Sequence, residues 1–421
     1  MQGYVIKTDV LDVYLLGKKV GRINYTSRHN EMRFLYDESY LEDVDAVALS
    51  YALPLQREAF DSDRTTVFFE NLLPPDQVRK KIGPILHVSH HNIFGFLKAL
   101  GGDCAGAISL WPHGHAPDSG EEQVKRLDDD EAAAVLGSLR KRPLYVNGID
   151  GYRISGAGAQ NKLIARIVDG HIELPLFGAP STHIIKPPVQ DYDDSVFNEC
   201  FAMRLAERLG LKTAKSGLLR IKDEVYYWTE RFDRETVGGR IRRLHQEDFC
   251  QICGISGELK YEDEGGPSFV DCMEAMGKMK IALSDRLAFI DRMIFNYLIG
   301  NADAHGKNSS ILYRGKKGKS LAPLYDVMST AVYETLSRTN AMSIGGAKAF
   351  KDVTRRSFGR LAEEIGMHPQ LVFDRMDKMA KAIVPAADTL AKELSCEWPS
   401  GVYAKIRHII NGHVAVASVI Q

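Results

Sequence analysis

The stretch DGYRISGAGAQNKLIARIVDGHIEL, residues 150–174, decides how this chain is read. It opens on a run of small residues, Gly156, Ala157, Gly158 and Ala159, set between Ser155 and Lys162. KLIARIV and HIEL are two β-like runs joined by Asp169-Gly170, residue types that tolerate the positive φ angles of a two-residue hairpin turn. THIIK reads as a third strand ending at Lys186. Asp191 to Ser195 supply caps for a helix in which Phe197, Phe201, Leu205 and Leu209 recur every four residues, with Gly210 as its stop. GLLRI and VYYWTE follow as two more strands.

Outward from this core, residues 1–60 read as a small β-rich region. VYLLGKKVGRINY breaks at Gly17-Lys18, RFLY follows, and AVALS leads into LPLQR. From about residue 66 to 100 the texture is helical, and Pro74-Pro75 ends one helix and starts the next. GAISLW returns to strand, and DDDEAAAVLGSL places acids at the positive end of a helix dipole. Beyond about Gln246 strands become scarce and long helices dominate. In SDRLAFIDRMIFNYLIG, Leu287, Ile290, Ile294, Tyr297 and Leu298 share one face. The expected class is α+β, divided at 1–145, 146–235 and 236–421.

Composition bounds the function. The chain has 421 residues, 44% hydrophobic and 26% charged, with a net charge of −1, as in ordinary globular proteins of two or three domains. That balance argues against strong nucleic-acid binding by this chain alone, which needs a basic face to displace counterions. No leader-like amino terminus and no apolar run of membrane-spanning length is present, so the expectation is a cytoplasmic protein without a membrane partner. The six scattered cysteines suit a reducing compartment, and Cys250 and Cys253 read as neighbours on one helical turn. His87, His90, His91, His113 and His115 have spacings that zinc sites use, but without a third ligand nearby in sequence they read as surface histidines.

Strand, small-residue loop, strand, strand with a terminal lysine, helix, strand, strand is the order of a kinase amino-terminal lobe. Phosphoryl transfer needs phosphates held by backbone amides and cations, metal held by oxygen ligands, and a base beside the acceptor hydroxyl. The loop at 155–159 answers the first need, since small side chains let the backbone approach a polyphosphate. Lys186 suits the α/β-phosphates and Lys162 is a second phosphate contact. Glu199 is either a partner for Lys186 or a solvated helix residue. GNADAHGKNSS, residues 300–310, carries Asp303 and Asn308 with four residues between them, the spacing of a catalytic base and a metal-binding amide. Asp326 in LAPLYDVMS supplies a second metal ligand. Lys307 is placed to steady the transferred group and His305 to hold the loop. In ERFDR, Glu230 and Phe232 suit adenine, and Asp233 the ribose.

These pieces together resemble the HipA family of bacterial serine/threonine kinase toxins. The resemblance runs through LPLQR, FFENLLP, YRISGAGAQNK, THIIK, NEC with LAERLGL, ERFDR, QEDFCQ, KYEDEGGP, ADAHGKN and YDVMS, in the family's order. It implies a two-lobed, lipid-kinase-like protein kinase fold with a β-rich amino-terminal domain and a mostly helical carboxy-terminal lobe, using ATP and Mg²⁺. In its terms Asp303 is the catalytic base, assisted by Lys307. Asn308 and Asp326 are the metal ligands, and Lys186 is the phosphate-binding lysine. The nucleotide site takes in Ser155, Gly156, Ala157, Gly158, Ala159, Gln160, Lys162, Glu230, Phe232, Asp233 and His305. Ser155 resembles the serine whose autophosphorylation switches family members off. A Gly156 in place of the β-branched residue of better-known members is expected to loosen the loop. The implied partners are a HipB-like helix-turn-helix antitoxin, operator DNA through that antitoxin, and an aminoacyl-tRNA synthetase, typically the glutamyl one, whose phosphorylation stalls translation and yields a dormant, persistent cell. Two other readings share these motifs in whole or part: a small-molecule phosphotransferase on the same fold, and a non-catalytic co-repressor.

Overall fold

A computed structural model of the chain describes residues 8–117, 122–315 and 318–418. These residues divide into two compact units, each assembled from separate stretches of chain. The first contains the residues up to Ile185 together with Asp233–Glu258 and Leu312–Arg314; the second contains Lys186–Phe232, Leu259–Ile311 and the residues from 315 onward. Helices and antiparallel strands are both present, as the expected α+β class requires.

The first unit begins with a four-stranded antiparallel sheet in the order β3-β2-β1-β4: β1 is Thr8–Leu15, β2 Lys18–Thr26, β3 Glu31–Tyr36 and β4 Ile108–Pro112. Leu11, Val13, Leu15, Ile23 and Phe34 are buried at alternating positions, which sets the register of this sheet. The β1–β2 turn lies one residue earlier than expected, on Leu16 and Gly17 with φ of 54° and 79°. AVALS forms no strand. Side chains stand in for a sheet partner: the Tyr36 hydroxyl takes the N–H of Leu49, the Tyr40 hydroxyl bonds the N–H and carbonyl of Val47, and His245 Nε2 lies 2.9 Å from Leu49 O. Helices Ser62–Glu70 and Asp76–Leu86 flank Pro74-Pro75 as expected, and Asp128 and Glu131 form a reciprocal cap on Asp129–Ser138.

The same unit holds the stretch that opened the sequence reading. β5 (Val124–Arg126), β6 (Leu163–Val168), β7 (His171–Pro175) and β8 (His183–Lys186) pair antiparallel in the order β5-β7-β6-β8. Asp169 and Gly170 form the β6–β7 turn with φ of 49° and 79°, the backbone that the dipeptide foretells.

The second unit carries the β9–β10 hairpin, Ser216–Ile221 with Glu224–Glu230, and long helices that include Ser195–Arg208, Leu283–Ile299 and Pro369–Glu397. In Ser195–Arg208 ten of the first twelve residues are buried, so it is a core helix rather than one with a single apolar stripe. Asp194 enters it in the left-handed region, φ 58°, without a side-chain cap; its Oδ2 accepts from Ser400 Oγ, and Ser195 Oγ accepts from Val189 N–H. Gly300 closes Leu283–Ile299 at φ 70°, and a Cβ there would lie 2.8 Å from Ala331 Cβ. Among the described residues no helix is long and apolar enough to cross a membrane.

Cys250 is buried and Cys253 half-buried on the short helix Phe249–Cys253, and both are thiols. Asp76 supplies a third donor beside His90 and His91 that sequence proximity hides. Its carboxylate is already engaged by Lys80 Nζ at 2.7 Å and His90 Nδ1 at 2.7 Å, and those bonds push its pKa down to about 2.

Glu247, fully buried in the first unit, accepts hydrogen bonds from Ser50 Oγ, Tyr51 N–H and Tyr313 O–H. Burial raises its pKa from 4.5 to about 7 although these bonds pull the other way. The native state then holds a proton that the unfolded chain has released, so this group's contribution to stability declines as pH rises from 4.5 to 7 and is level above. Nearby His245, whose pKa burial lowers to about 4, works oppositely, costing stability as pH falls below 6.5. We predict that urea unfolding from pH 5 to 7.5 shows a smaller loss of stability with rising pH in Glu247→Gln than in the wild type. Parallel curves would contradict the buried-carboxyl assignment.

Candidate active site

Lys186 ends β8 with its side chain 6% exposed, and its ammonium lies 2.6 Å from Glu199 Oε1 and 2.6 Å from Asp326 Oδ1. Burial works against the charge, but the carboxylates of Asp326 and Glu199 outweigh it and hold the lysine pKa above its ordinary value. Glu199 is thus the partner of Lys186 and not a solvated helix residue; its side chain is 3% exposed. Asp326 is different in kind: at 46% exposure it faces solvent, with φ 56°. Its chain is held just before this turn by Leu324, whose N–H bonds to Lys212 O and whose carbonyl accepts from Ala214 N–H. The strand-like reading of LAPLYDVMS is therefore only partly met, because Lys319–Leu321 is strand and Asp326 sits on a left-handed bend.

The loop after Gly300 is fixed by its own polar groups. Asn301 Oδ1 accepts from Asp303 N–H, Thr330 Oγ1 accepts from Ala302 N–H at 2.7 Å, and the amide nitrogen of Asn308 donates to the Asp303 carbonyl at 2.8 Å. That last bond closes the four-residue interval seen in the sequence and turns the Asn308 amide oxygen the other way. Together with the Asp326 carboxylate it makes a pair of oxygen donors of the kind a hard divalent cation takes. Tyr325 ties the two loops together: its hydroxyl donates to Lys307 O at 2.8 Å and bonds Ser310 Oγ, while its ring stacks on Phe232 at 4.9 Å.

His305 is 4% exposed, its Nε2 is 3.6 Å from Asp303 Oδ1, and burial lowers its pKa to about 4, so it is neutral at physiological pH. Asp303 Oδ1 accepts from the hydroxyl of Tyr261 at 2.5 Å. Sequence reasoning did not single out Tyr261 as a site residue; its only signal was membership of KYEDEGGP. Glu230 closes β10, donating its N–H to Lys215 O, with Lys215 Nζ 3.5 Å from its carboxylate.

The small-residue loop belongs to the first unit. Ser155 is 2% exposed; its hydroxyl donates to Leu72 O at 2.5 Å and its N–H to Asp103 O. Asp103 is a buried hub whose carboxylate accepts from Ser181, Arg234 and Arg243. Lys162 turns its ammonium onto the carbonyls of Ala157 and Gly158, folding the loop on itself. A Cβ on Gly156 would lie 2.6 Å from Ile164 Cδ1 and 3.1 Å from Leu144 Cδ2, the ends of two side chains that would have to shift. Gly158 has φ 95°, while Ala159 is exposed and Gln160 half-buried. Asp233 is 3% exposed, accepts from Gly106 N–H at 2.6 Å and pairs with Arg234. The structure thus brings Lys186, Glu199 and Asp326 into one ion cluster and Asp303, His305 and Asn308 into one loop, with Phe232 stacked on the tyrosine between the two. Ser155 to Lys162 and Asp233 lie in the first unit, where they are bonded as just described.

Comparison with known proteins gives this arrangement a lineage. Residues 154–387 match the family model of the HipA-like C-terminal domain, and residues 11–111 that of the HipA N-terminal domain. The putative kinase Y4mE of Sinorhizobium fredii is 38% identical over 392 residues, covering 92% of this chain and 93% of that protein. The serine/threonine-protein kinase toxin HipA of Shewanella oneidensis is 27% identical over 394 residues, covering 90% and 89%. HipA in the solved complex of HipA, HipB and operator DNA from Shewanella oneidensis superposes with a TM-score of 0.83 at 26% identity, over 97% of this chain and 96% of that one. With a matched model spanning more than half its length and a relative this similar from end to end, the chain belongs to the HipA family.

Proposed function

We propose that this protein is an ATP- and Mg²⁺-dependent serine/threonine protein kinase, the toxin of a toxin–antitoxin pair. The observation that carries the reading is the buried Lys186 ammonium shared between Glu199 and Asp326. A structural ion pair needs one carboxylate, whereas this lysine is also tied to an exposed acid on a strained bend. The names of its relatives, among them a serine/threonine-protein kinase toxin, support the same reading.

In this reading Lys186 neutralises the nucleotide's α/β-phosphates while Glu199 fixes its direction. Asn308 and Asp326 would hold Mg²⁺, which when bound supplies charge neutralisation to the phosphate oxygens. Asp303 accepts the proton of the acceptor hydroxyl as that oxygen bonds to phosphorus and ADP departs. Lys307 faces the transferred group's negative charge, and neutral His305 keeps the loop packed. Phe232, held against Tyr325, and the backbone at Glu230 line the adenine side. The partner is a helix-turn-helix antitoxin, as the HipB and operator DNA of the similar solved complex support. The acceptor is a serine of an aminoacyl-tRNA synthetase, glutamyl in type.

Ser155 is the off-switch of this scheme. A phosphoserine carries roughly −1.5 to −2 charges, and the present seat of the hydroxyl is buried, with the Leu72 carbonyl, itself an acceptor, 2.5 Å away. Phosphorylation therefore expels the loop from that seat and weakens its hold on a nucleotide's phosphates.

Three outcomes are expected. With labelled ATP and cell lysate, the wild type labels a discrete protein band, and Asp303→Ala reduces transfer about 10²- to 10⁴-fold; wild-type transfer by the variant contradicts the assignment. Lys186→Met alone should destabilise the fold by about 3–5 kcal/mol, because it strands Glu199 without a counter-charge. The Lys186→Met/Glu199→Gln pair should recover most of that loss in urea unfolding, whereas simple additivity would mean the two do not interact. For the loop, Ser155→Ala should stay active and arrest growth more strongly, and Ser155→Asp should bind ATP weakly. Equal nucleotide affinity in wild type and both variants would refute the switch.

A further inference from the structure

The segment Leu259–Gly266 forms a strap that closes on itself. Tyr261 O accepts from the N–H groups of Glu264 and Gly266, and Glu262 O from that of Gly265. Gly266 makes the closure feasible: a Cβ there would lie 2.4 Å from Leu259 O and 2.6 Å from the carbonyl carbon of Lys260, both backbone atoms that cannot yield. Two latches hold the strap to the hairpin Thr339–Ile344 with Ala347–Ala349. The Glu262 carboxylate accepts from Ser343 N–H at 2.5 Å and Ser343 Oγ at 2.8 Å, and Asp263 pairs with Lys348. The Tyr261 ring is caught between Lys260 Nζ, 5.0 Å from its centroid, and the edge of His305 at 5.2 Å. Its hydroxyl is thereby aimed at one oxygen of Asp303, 2.5 Å away.

We infer that Tyr261 is a positioning residue for phosphoryl transfer: by tying down Asp303 Oδ1 it orients the carboxylate so that Oδ2 meets the acceptor hydroxyl. The inference rests on the reading of Asp303 as the base. Asp303 is 45% exposed, with His305 Nε2 3.6 Å from the same Oδ1, and the Tyr261 hydroxyl, 2.5 Å away, is a short direct tether on its side chain. Tyr261 is suited to the task because burial and the neighbouring Asp303 charge raise its pKa, leaving it a neutral donor. A base held in one orientation avoids the loss that about 1 Å of misplacement brings, on the order of 10²-fold in rate. Glu262 acts one step further out, through the strap.

The test compares wild type, Tyr261→Phe, Glu262→Ala and Asp303→Ala for kcat, KM for ATP, binding of a non-hydrolysable ATP analogue and thermal unfolding. Tyr261→Phe should lower kcat about 10- to 100-fold, with KM for ATP, analogue binding and melting temperature unchanged. Glu262→Ala should lower kcat in the same direction by loosening the strap. Unchanged or raised kcat in Tyr261→Phe overturns the inference, as does a fall in kcat accompanied by lost stability and analogue binding, which would mark a merely structural residue. Full transfer by Asp303→Ala overturns the reading of Asp303 as the base, on which the inference rests, whereas its loss together with an unaffected Tyr261→Phe overturns the positioning role alone.

Discussion

Everything at the site is organised by the cost of burying one ammonium group. An unpaired Lys186 inside the protein would lose its proton or unfold the region around it. The chain meets this cost with a carboxylate from the core helix Ser195–Arg208 and a second from the bend at Asp326. The two are not equivalent. Asp326 and Glu199 together keep the lysine charged, but Glu199 is buried while Asp326 is half in solvent. The requirement extends outward: the Thr213–Leu324 bridge fixes the bend, Tyr325 carries the constraint to the loop at 303–308, and Gly300 launches that loop from its helix.

What the sequence revealed, and what it concealed, follows from the range of the interactions concerned. The β6–β7 hairpin was legible because a D-G dipeptide and two alternating runs determine it locally. The loop at 303–308 was legible because its decisive hydrogen bond spans five residues. Glu199 remained ambiguous because its helix is buried almost all round, so apolar periodicity does not tell an inward glutamate from an outward one. Tyr261 was hidden for another reason: its partner is 42 residues away, and an irregular strap, closed by Gly266, brings the two together. AVALS looked like a strand because its apolar content is high, but side chains distant in sequence or outside the run, those of Tyr36, Tyr40 and His245, bond its backbone instead.

The small-residue loop illustrates how one run of sequence serves several constraints. Gly156 packs against Ile164 and Leu144, Gly158 takes a positive φ, and Ser155 bonds to the Leu72 and Asp103 carbonyls. Lys162 closes the loop by donating to the carbonyls of Ala157 and Gly158.

The most direct test of the account concerns the second carboxylate of the Lys186 cluster. Calorimetric titration of a non-hydrolysable ATP analogue, with and without Mg²⁺, should be run on the wild type and on Asp326→Asn. The account predicts that Mg²⁺ tightens analogue binding to the wild type and has little effect on the variant. Equal enhancement by Mg²⁺ in both proteins would contradict it.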